Sequence, residues 1–448
     1  MPVASPAEFI ERIKVIAEAS GAAEAEVYGE VVTINEVRVR DKEVELLQQS
    51  ALRGVGLRVL RDSKTGFMFT TEFQPSIINE LVLRTIALAS QASPREEVRL
   101  PNEPFPSQRL LEISDDSIPA KTPADLVSLA RTAEQNAIAR DKRIQTTLGA
   151  RAGVATQDVY FTNTYIKLQT FRATSCWLGC TAVAANGAER REGSYLDRKR
   201  IFADLSPPEF VGQKSADRAL AKLGAKPVPS TRAPVIFENE AAGGFLEGLF
   251  GAFNGTNALE KRTFLADRNG QTVASPLLSI VDDGILRRGL GSLPFDGEGT
   301  QTRRTPVMDQ GVFVRFLHTA ATARLFNVTA TGNGIRSYDS LPAVGPTNFY
   351  IDRGSANPKT MISELSRGLY VTDTAGFGID TVSGQYSQQA EGFWIENGAL
   401  AAPVDGITIA GNLNDMLMGI DAVGKDLEYR SVFASPSIRF KELTIGGG

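Results

Sequence analysis

The sequence predicts an α+β protein: an N-terminal α/β region of two helix-strands-helix units, followed by a mostly antiparallel β C-terminal domain. Three observations carry this. Helix-start signals with apolar residues at helical spacing alternate with period-two runs along the first half of the chain. Proline-rich breaks at 95–121 and 225–234 separate the two units from each other and from the remainder. Beyond Pro234 the chain turns glycine-rich and strand-like, with an Asn-Gly turn signal between two apolar runs. The expected domains are therefore 1–100, 101–230 and 231–448.

Element by element, Ser5, Pro6 and Glu8 form a capping-box pattern with proline at the first helical position. Phe9, Ile10, Ile13 and Ile16 then follow at helical spacing, and Gly21 is the stop. Strand patterning runs from Glu26 to Thr71. Within it, Gly54-Val55-Gly56 lacks the third glycine and the following helix of a dinucleotide fingerprint, so it reads as strand packing. A second capped helix is expected in QPSIINELVLRTIALASQ. After the 95–121 break, with Pro101, Pro104, Pro106 and Pro119, the order repeats without any residue-level repeat. A helix starts at Thr122-Pro123-Ala124-Asp125, alternating strands fill 144–185, and a last helix opens at Ser206-Pro207-Pro208-Glu209 and ends near Gly224. In the C-terminal region Asn397-Gly398 supplies the positive φ angles of a type I′ hairpin turn. Helices are expected after Asn239, in SANPKTMISELSRGLY and in AGNLNDMLMGI, each behind a capping residue.

Composition excludes several function classes. A net charge of -4 gives no global attraction to phosphate backbones or anionic lipid, so neither nucleic acid nor membrane is an expected partner. No apolar run approaches the roughly 18 residues that suggest a membrane span. The N-terminus has acids inside its apolar pattern and does not read as a signal peptide, which points to the cytoplasm.

The chemistry begins with what is scarce. The chain has one histidine, His318, near the start of an expected short helix with no His, Cys or acid at ligand spacing, so it reads as a surface or satisfied core imidazole. Cys176 and Cys180 are spaced CxxxC, neither the CxxC redox spacing nor half of a usual zinc knuckle, and read as buried thiols. The basic run with Arg190, Arg191, Arg198, Lys199 and Arg200 alternates with acids and reads as an exposed charged face. Asp296 and Glu298, in the glycine-rich FDGEG, could bind a cation or a peptide amine, although two acids fill few of the positions Ca²⁺ requires and a solvated turn is the simpler reading.

The ordered blocks NEAAGGFLEG, GLGSLPFDGEGT, ATGNGIR, PTNFYI, RGLYVTDTAGFGIDTVSGQYS, GFWIENGALAAPVDGITIAGNL and AVGKDLE, between residues 237 and 428, resemble the TldD/PmbA family, once called modulators of DNA gyrase. The TldD-type subunit of that family resembles a zinc peptidase with two ligands in HExxxH and a third from a cysteine near the C-terminus. The matching positions here are Asn239, Glu240 and Gly244: both histidines are absent, the glutamate remains, and the C-terminal EYRSVFASPSIRFKELTIGGG has no cysteine. Asn is a poor zinc ligand and Gly offers none. Residues five apart diverge on a regular α-helix, so HExxxH implies a bulge or wider turn, which Gly243 and Gly244 would permit.

The resemblance therefore implies a PmbA or TldE-type chain with no metal of its own. Its expected partners are a TldD-type subunit that carries the zinc and extended peptides that are degraded or trimmed of leader sequences, with a homodimer possible when the chain is alone. Such a chain could bind peptide by strand addition, with Gly332, Asn333, Gly376 and Gly378 lining the path because glycine permits close backbone approach. Two other readings remain: an independent hydrolase with an unrecognised site, for which Glu240 with Asp296 and Glu298 are candidates, and a regulatory binding protein without a peptidase partner.

Overall fold

The computed structural model describes residues 5–95, 97–102, 110–376 and 378–447. The first unit runs α1 (Pro6–Ala19), β1 (Glu24–Arg40), β2 (Glu43–Arg61), β3 (Lys64–Thr70) and α2 (Ile78–Gln91). The second runs α3 (Pro123–Ala139), β4 (Ile144–Asn163), β5 (Gln169–Asn186), β6 (Glu189–Lys199) and α4 (Pro208–Ala221). Both units share one antiparallel sheet of order β3-β2-β1-β4-β5-β6, joined where β1 lies against β4 with Glu26 opposite Asn163 and Val39 opposite Ala150. Read outward from that seam, each half has its strands in chain order.

Local chemistry accounts for the helix starts. The Ser5 hydroxyl accepts from the Glu8 N–H while the Glu8 carboxylate accepts from the Ser5 N–H, and Thr122 and Asp125 do the same for α3. Two starts differ from expectation. A 3₁₀ turn at Pro75–Ile77 leads into α2 with no side-chain cap, and Ser206 directs its hydroxyl to Asp197 rather than capping α4.

Phe9, Ile10 and Ile13 of α1 pack with Val55, Leu57 and Val59 of β2, and Ala130 and Ala133 of α3 pack with Ala150 and Ala152 of β4. The alternate residues of β2 face the C-terminal domain. A Cβ at Gly54 or Gly56 would lie 2.2 or 2.3 Å from Tyr338, so these glycines let the two regions approach, the packing role their spacing suggests.

In the C-terminal domain β7 (Thr231–Phe237) lies parallel to Arg367–Ala375 and antiparallel to Ile438–Gly446. Strands Gln385–Glu396 and Ala399–Asn412 extend the sheet, which closes when 408–410 pair with 444–446. Asn397 and Gly398 adopt φ of 50° and 78° in the hairpin between those two strands. Short helices at Pro358–Ser363 and Leu413–Met418 are capped by Asn357 and Asn412, as expected.

Two sequence readings change here. Part of the 95–121 break lies outside the described residues, but its end is packed: Leu111 and Ile113 are buried with Ala173. The basic run is not uniformly exposed either. Arg191 pairs with Glu189 and reaches Asp405 of the C-terminal domain. Arg200, buried, donates to the carbonyls of Thr174 and Gly289, because both arginines fall where the central strands meet that domain.

Candidate functional site

Strand β7 is buried along Val235, Ile236 and Phe237 and runs straight into α5 (Asn239–Leu249). The turn is fixed by the Glu238 N–H, which donates 2.9 Å to the Val371 carbonyl, and by the Ala242 N–H, which donates to the Glu238 carbonyl. Ala241, Ala242, Phe245, Leu246 and Leu249 face the core, leaving Asn239, Glu240 and Gly244 toward the outside of the helix. The segment is a continuous α-helix, not the wider turn expected from the residue spacing.

Each of the three positions has a defined surrounding. The Asn239 carboxamide donates 3.3 Å to the Asp426 carbonyl. Gly244 is exposed, and a Cβ there would meet no atom within 4 Å. One oxygen of Glu240 accepts from Arg218 of α4 at 2.5 Å and from Arg430 in the C-terminal segment. Both guanidiniums also lie over Tyr195 of β6, 5.3 and 4.9 Å from the ring centre. Burial raises the Glu240 carboxyl, but the Arg218 hydrogen bond and the charges of Arg218, Arg430 and Lys214 outweigh it and hold the group below the ordinary carboxylate range. Glu240 is thus an ionised, engaged carboxylate rather than a free base. Next to it Glu238 is shifted the other way, upward, by burial and by the Glu240 charge.

Glu238, Glu240 and Arg218 border a cleft of about 740 Å³ between the central strands and the C-terminal domain, lined also by Lys214, Tyr370, Thr372 and Glu391. Its lining reaches Thr372 and Asp373 of the neighbouring strand. The strand Arg367–Ala375 pairs with β7 only from Leu369 to Val371, because β7 gives way to α5; among the described residues 373–375 then pair on one side alone, with 389–391, and Thr374 and Ala375 border a separate cleft of about 330 Å³.

The donor set does not suit a zinc ion. Asn239 presents an N–H donor to a carbonyl, Gly244 has no side chain, and Glu240 is saturated by two guanidiniums. Among the described residues no group of three or more His, Cys, Asp or Glu side chains could hold a metal ion. The C-terminal segment nevertheless lies where the resemblance requires: Phe433 packs at Gly243, and Arg430 reaches Glu240.

The other candidates are placed elsewhere. Asp296 and Glu298 are 4% and 2% exposed, which corrects the solvated turn and removes them as open acceptors for a peptide amine. Asp296 accepts from the backbone N–H groups of Glu298, Thr300 and Gly334, and Glu298 from that of Ala320 at 2.8 Å. Glu298 also faces Arg58, which pairs with Glu26, which in turn pairs with Arg336. Burial, then the Glu298 charge, raises Asp296; burial raises Glu298 against the opposing charge of Arg58. Among the described residues no hydrogen bond or ion pair joins this group to Glu240.

Asn333 is fully buried, donating to Asp282 and the Gly345 carbonyl, and beside it a Cβ at Gly332 would lie 2.6 Å from the Gln301 carbonyl. Neither lines an open path. Gly376 is exposed, while Gly378 borders a second cleft of about 440 Å³ and its Cβ would lie 1.4 Å from the Ser387 carbonyl. A bulky residue at 378 would therefore clash with the strand Gln385–Glu396 at Ser387, whose N–H donates to the Gly378 carbonyl. His318 is a buried imidazole beside Thr322, with burial lowering it to about 4, and burial pushes Cys176 and Cys180 up to about 12 and 11. Sequence reasoning missed Arg218, Arg430 and Tyr195. Each sits on a different element, and nothing in its local pattern signals the meeting.

Known proteins can be set beside this geometry. Residues 25–90, 116–223 and 230–447 match models of the PmbA/TldA metallopeptidase domain 1, central domain and C-terminal domain. Metalloprotease PmbA of Escherichia coli O157:H7 is 33% identical over 92% of this chain and 89% of its own. A metalloprotease TldD homolog of Haemophilus influenzae is 26% identical over 88% of this chain and 87% of its own. A crystal structure described as a candidate modulator of a DNA gyrase from Thermotoga maritima aligns over 98% of this chain and 99% of its own with a TM-score of 0.89 at 26% identity. TldE of Thermococcus kodakarensis shares the fold, with a TM-score of 0.89 at 22% identity over 98% of this chain and 100% of its own. With all three domains matched in order and the segment carrying Arg430 lying against α5, the chain belongs to the PmbA/TldD metallopeptidase family.

Proposed function

We propose that this chain is the PmbA or TldE-type subunit of a cytoplasmic two-chain zinc peptidase, contributing peptide binding and no metal of its own. The observation that carries this is the Glu240 clamp. The one family site carboxylate that survives is held ionised by Arg218 and Arg430, with Asn239 and Gly244 at the two ligand positions. A general base must accept a proton from water, and a carboxylate stabilised by two cations is poorly suited to do so. The zinc and the hydrolytic step then belong to a TldD-type partner. The greater identity to the E. coli PmbA than to the H. influenzae TldD homolog agrees with that assignment.

Peptide retention draws on the open backbone at 373–375. An extended chain added there would gain main-chain hydrogen bonds that depend little on its sequence, with the acids around Glu238 favouring cationic side chains. This suits a peptidase of unfolded segments or leader peptides.

The test is co-expression with a TldD-type subunit from the same genome, co-purification, and mass spectrometry of a disordered peptide. Cleavage only by the assembled pair is the expected result. Cleavage by this chain alone, retained in Glu240→Gln, would favour an independent hydrolase with another site, and absence of any association would favour a binding protein.

A further inference from the structure

We propose that Asn186 is a covalent modification site: at the tip of the β5–β6 hairpin its carboxamide is attacked by the backbone nitrogen of Gly187, and water opens the resulting cyclic imide to aspartate or isoaspartate. An asparagine followed by glycine is the pair in which this ring closes most readily, because glycine has no Cβ to crowd the approach. The chain has five such pairs, at Asn186, Asn254, Asn269, Asn333 and Asn397. Sequence alone ranks them equally, and the fold separates them.

Ring closure needs a glycine nitrogen free to turn and shed its proton, and a carboxamide free to swing onto it. Four of the pairs lack the first freedom: the N–H of Gly255 donates 2.9 Å to the Leu317 carbonyl, that of Gly270 2.7 Å to the Phe313 carbonyl, that of Gly334 2.8 Å to the Asp296 carboxylate and that of Gly398 2.8 Å to the Leu365 carbonyl. Three of these lack the second as well. Asn254 caps a helix by accepting from Thr256, Asn269 donates to the Val314 carbonyl, and buried Asn333 donates to Asp282 and the Gly345 carbonyl. At the fifth pair, among the described residues, neither the Asn186 carboxamide nor the Gly187 N–H has a hydrogen-bond partner. Both residues are exposed, Gly187 has a φ of 59°, and a Cβ on it would meet no atom within 4 Å. The restraint that remains is the pairing of Asn186 with Glu189, the last rung of the hairpin, and terminal rungs open at small cost.

In the first step a bond forms between the Gly187 nitrogen and Cγ of Asn186. The proton lost by that nitrogen passes through solvent to the carboxamide nitrogen, which leaves as ammonia. Water then adds to the ring. Opening at Cγ restores the normal main chain with an aspartate, and opening at the main-chain carbonyl leaves the chain running through Cβ and Cγ as isoaspartate. Water is the sole co-reactant and nothing is oxidised or reduced. Either product places a negative charge beside Arg190, which donates to the carbonyls of Gly187 and Glu189, and isoaspartate lengthens the main chain next to Glu189 by a methylene. Glu189 accepts from the Gly224 N–H and pairs with Arg191, which holds Asp405. The modification therefore falls on the contact that joins this turn to the end of α4 and to the C-terminal domain.

The inference concerns the hairpin alone and stands whether or not the chain joins a peptidase. The test incubates the folded full chain at mildly alkaline pH and follows its proteolytic peptides over time by mass spectrometry, with resistance to an aspartate-specific protease marking isoaspartate. The peptide carrying Asn186 should convert from amide to acid roughly tenfold or more faster than those carrying the other four asparagines, each of which must first surrender a glycine N–H hydrogen bond. The rate should rise with pH, because the attacking nitrogen must lose its proton, and Asn186→Gln should abolish the conversion at this position. The same chain held in denaturant is the control, in which the five sites should convert at similar rates. An Asn186 that keeps its amide in the folded chain while converting in the denatured one, or any of the other four converting as fast as Asn186 in the folded chain, would overturn the proposal.

Discussion

Glu240 and Glu298 invite comparison, since each sits in a glycine-rich block and each faces an arginine from the N-terminal half. Their surroundings are opposite. Glu240 stands at the start of a helix bordering a cleft, one oxygen shared between Arg218 and Arg430, and its carboxyl is held below the ordinary range. Glu298 is sealed in, bonded to a backbone N–H, and beside Asp296, which organises its loop through three more N–H groups; both carboxyls are raised. One pair of elements meets at a site, and the other holds the domain together. Residue type and glycine context do not separate these roles; the second partner of each carboxylate does.

The comparison breaks first, if it is wrong, at Asp296. Replacing it with alanine leaves three buried N–H groups without an acceptor, and stability should fall by about 3–5 kcal/mol. A chemical denaturation curve within about 1 kcal/mol of wild type would mean the loop finds other acceptors and the contrast is false.

A pH series sharpens the same contrast. Asp282, fully buried and bonded to Asn333 and Thr347, is raised to about 6 by burial. A carboxyl raised on folding binds its proton more tightly in the native state, so its contribution is complete below the unfolded value and is lost as pH rises through about 6. Asp296 and Glu298 act in the same sense. Glu240, lowered, contributes above the ordinary carboxylate range and loses that contribution as pH falls. Wild-type melting temperatures should therefore carry a declining contribution between pH 4 and 6 that Asp282→Asn flattens, and an unchanged slope would show that Asp282 does not titrate there.

Smaller effects belong to the cleft. The Glu240 pair is partly solvent-exposed and screened, so Glu240→Gln should cost only about 1 kcal/mol by the same denaturation assay. A loss comparable to that of Asp296→Ala would make Glu240 a structural core residue. Gly244→Ala should be neutral to stabilising by up to about 1 kcal/mol, since the position is helical, exposed and open. Clear destabilisation would mean that something occupies the space beside Gly244.

How much of this was legible in the sequence follows from range. Capping boxes at Ser5 and Thr122, the Asn397-Gly398 turn and the amphipathic α1 depend on residues a few positions apart, and the local pattern predicted them. The order of the two helix-strands-helix units was visible too, but their union through β1 and β4 was not, because that pairing spans over a hundred residues. The degenerate ligand positions were read from the resemblance. The clamp was not, since Tyr195, Arg218, Glu240 and Arg430 converge from four separate elements. The FDGEG loop misled for a related reason: glycine and acid suggest solvent, and only tertiary packing reveals that its acids face inward.

The central claim is that Glu240 is a clamped carboxylate in a chain without a zinc site, and zinc content measures it most directly. The full chain, purified without chelator and incubated with excess zinc before desalting, should retain no stoichiometric metal by elemental analysis. Asn239→His with Gly244→His should add only weak binding, because a third donor is absent. Retention of about one zinc per chain by the wild type, abolished by Glu240→Ala, would contradict the claim and make this subunit a metallopeptidase centre in its own right.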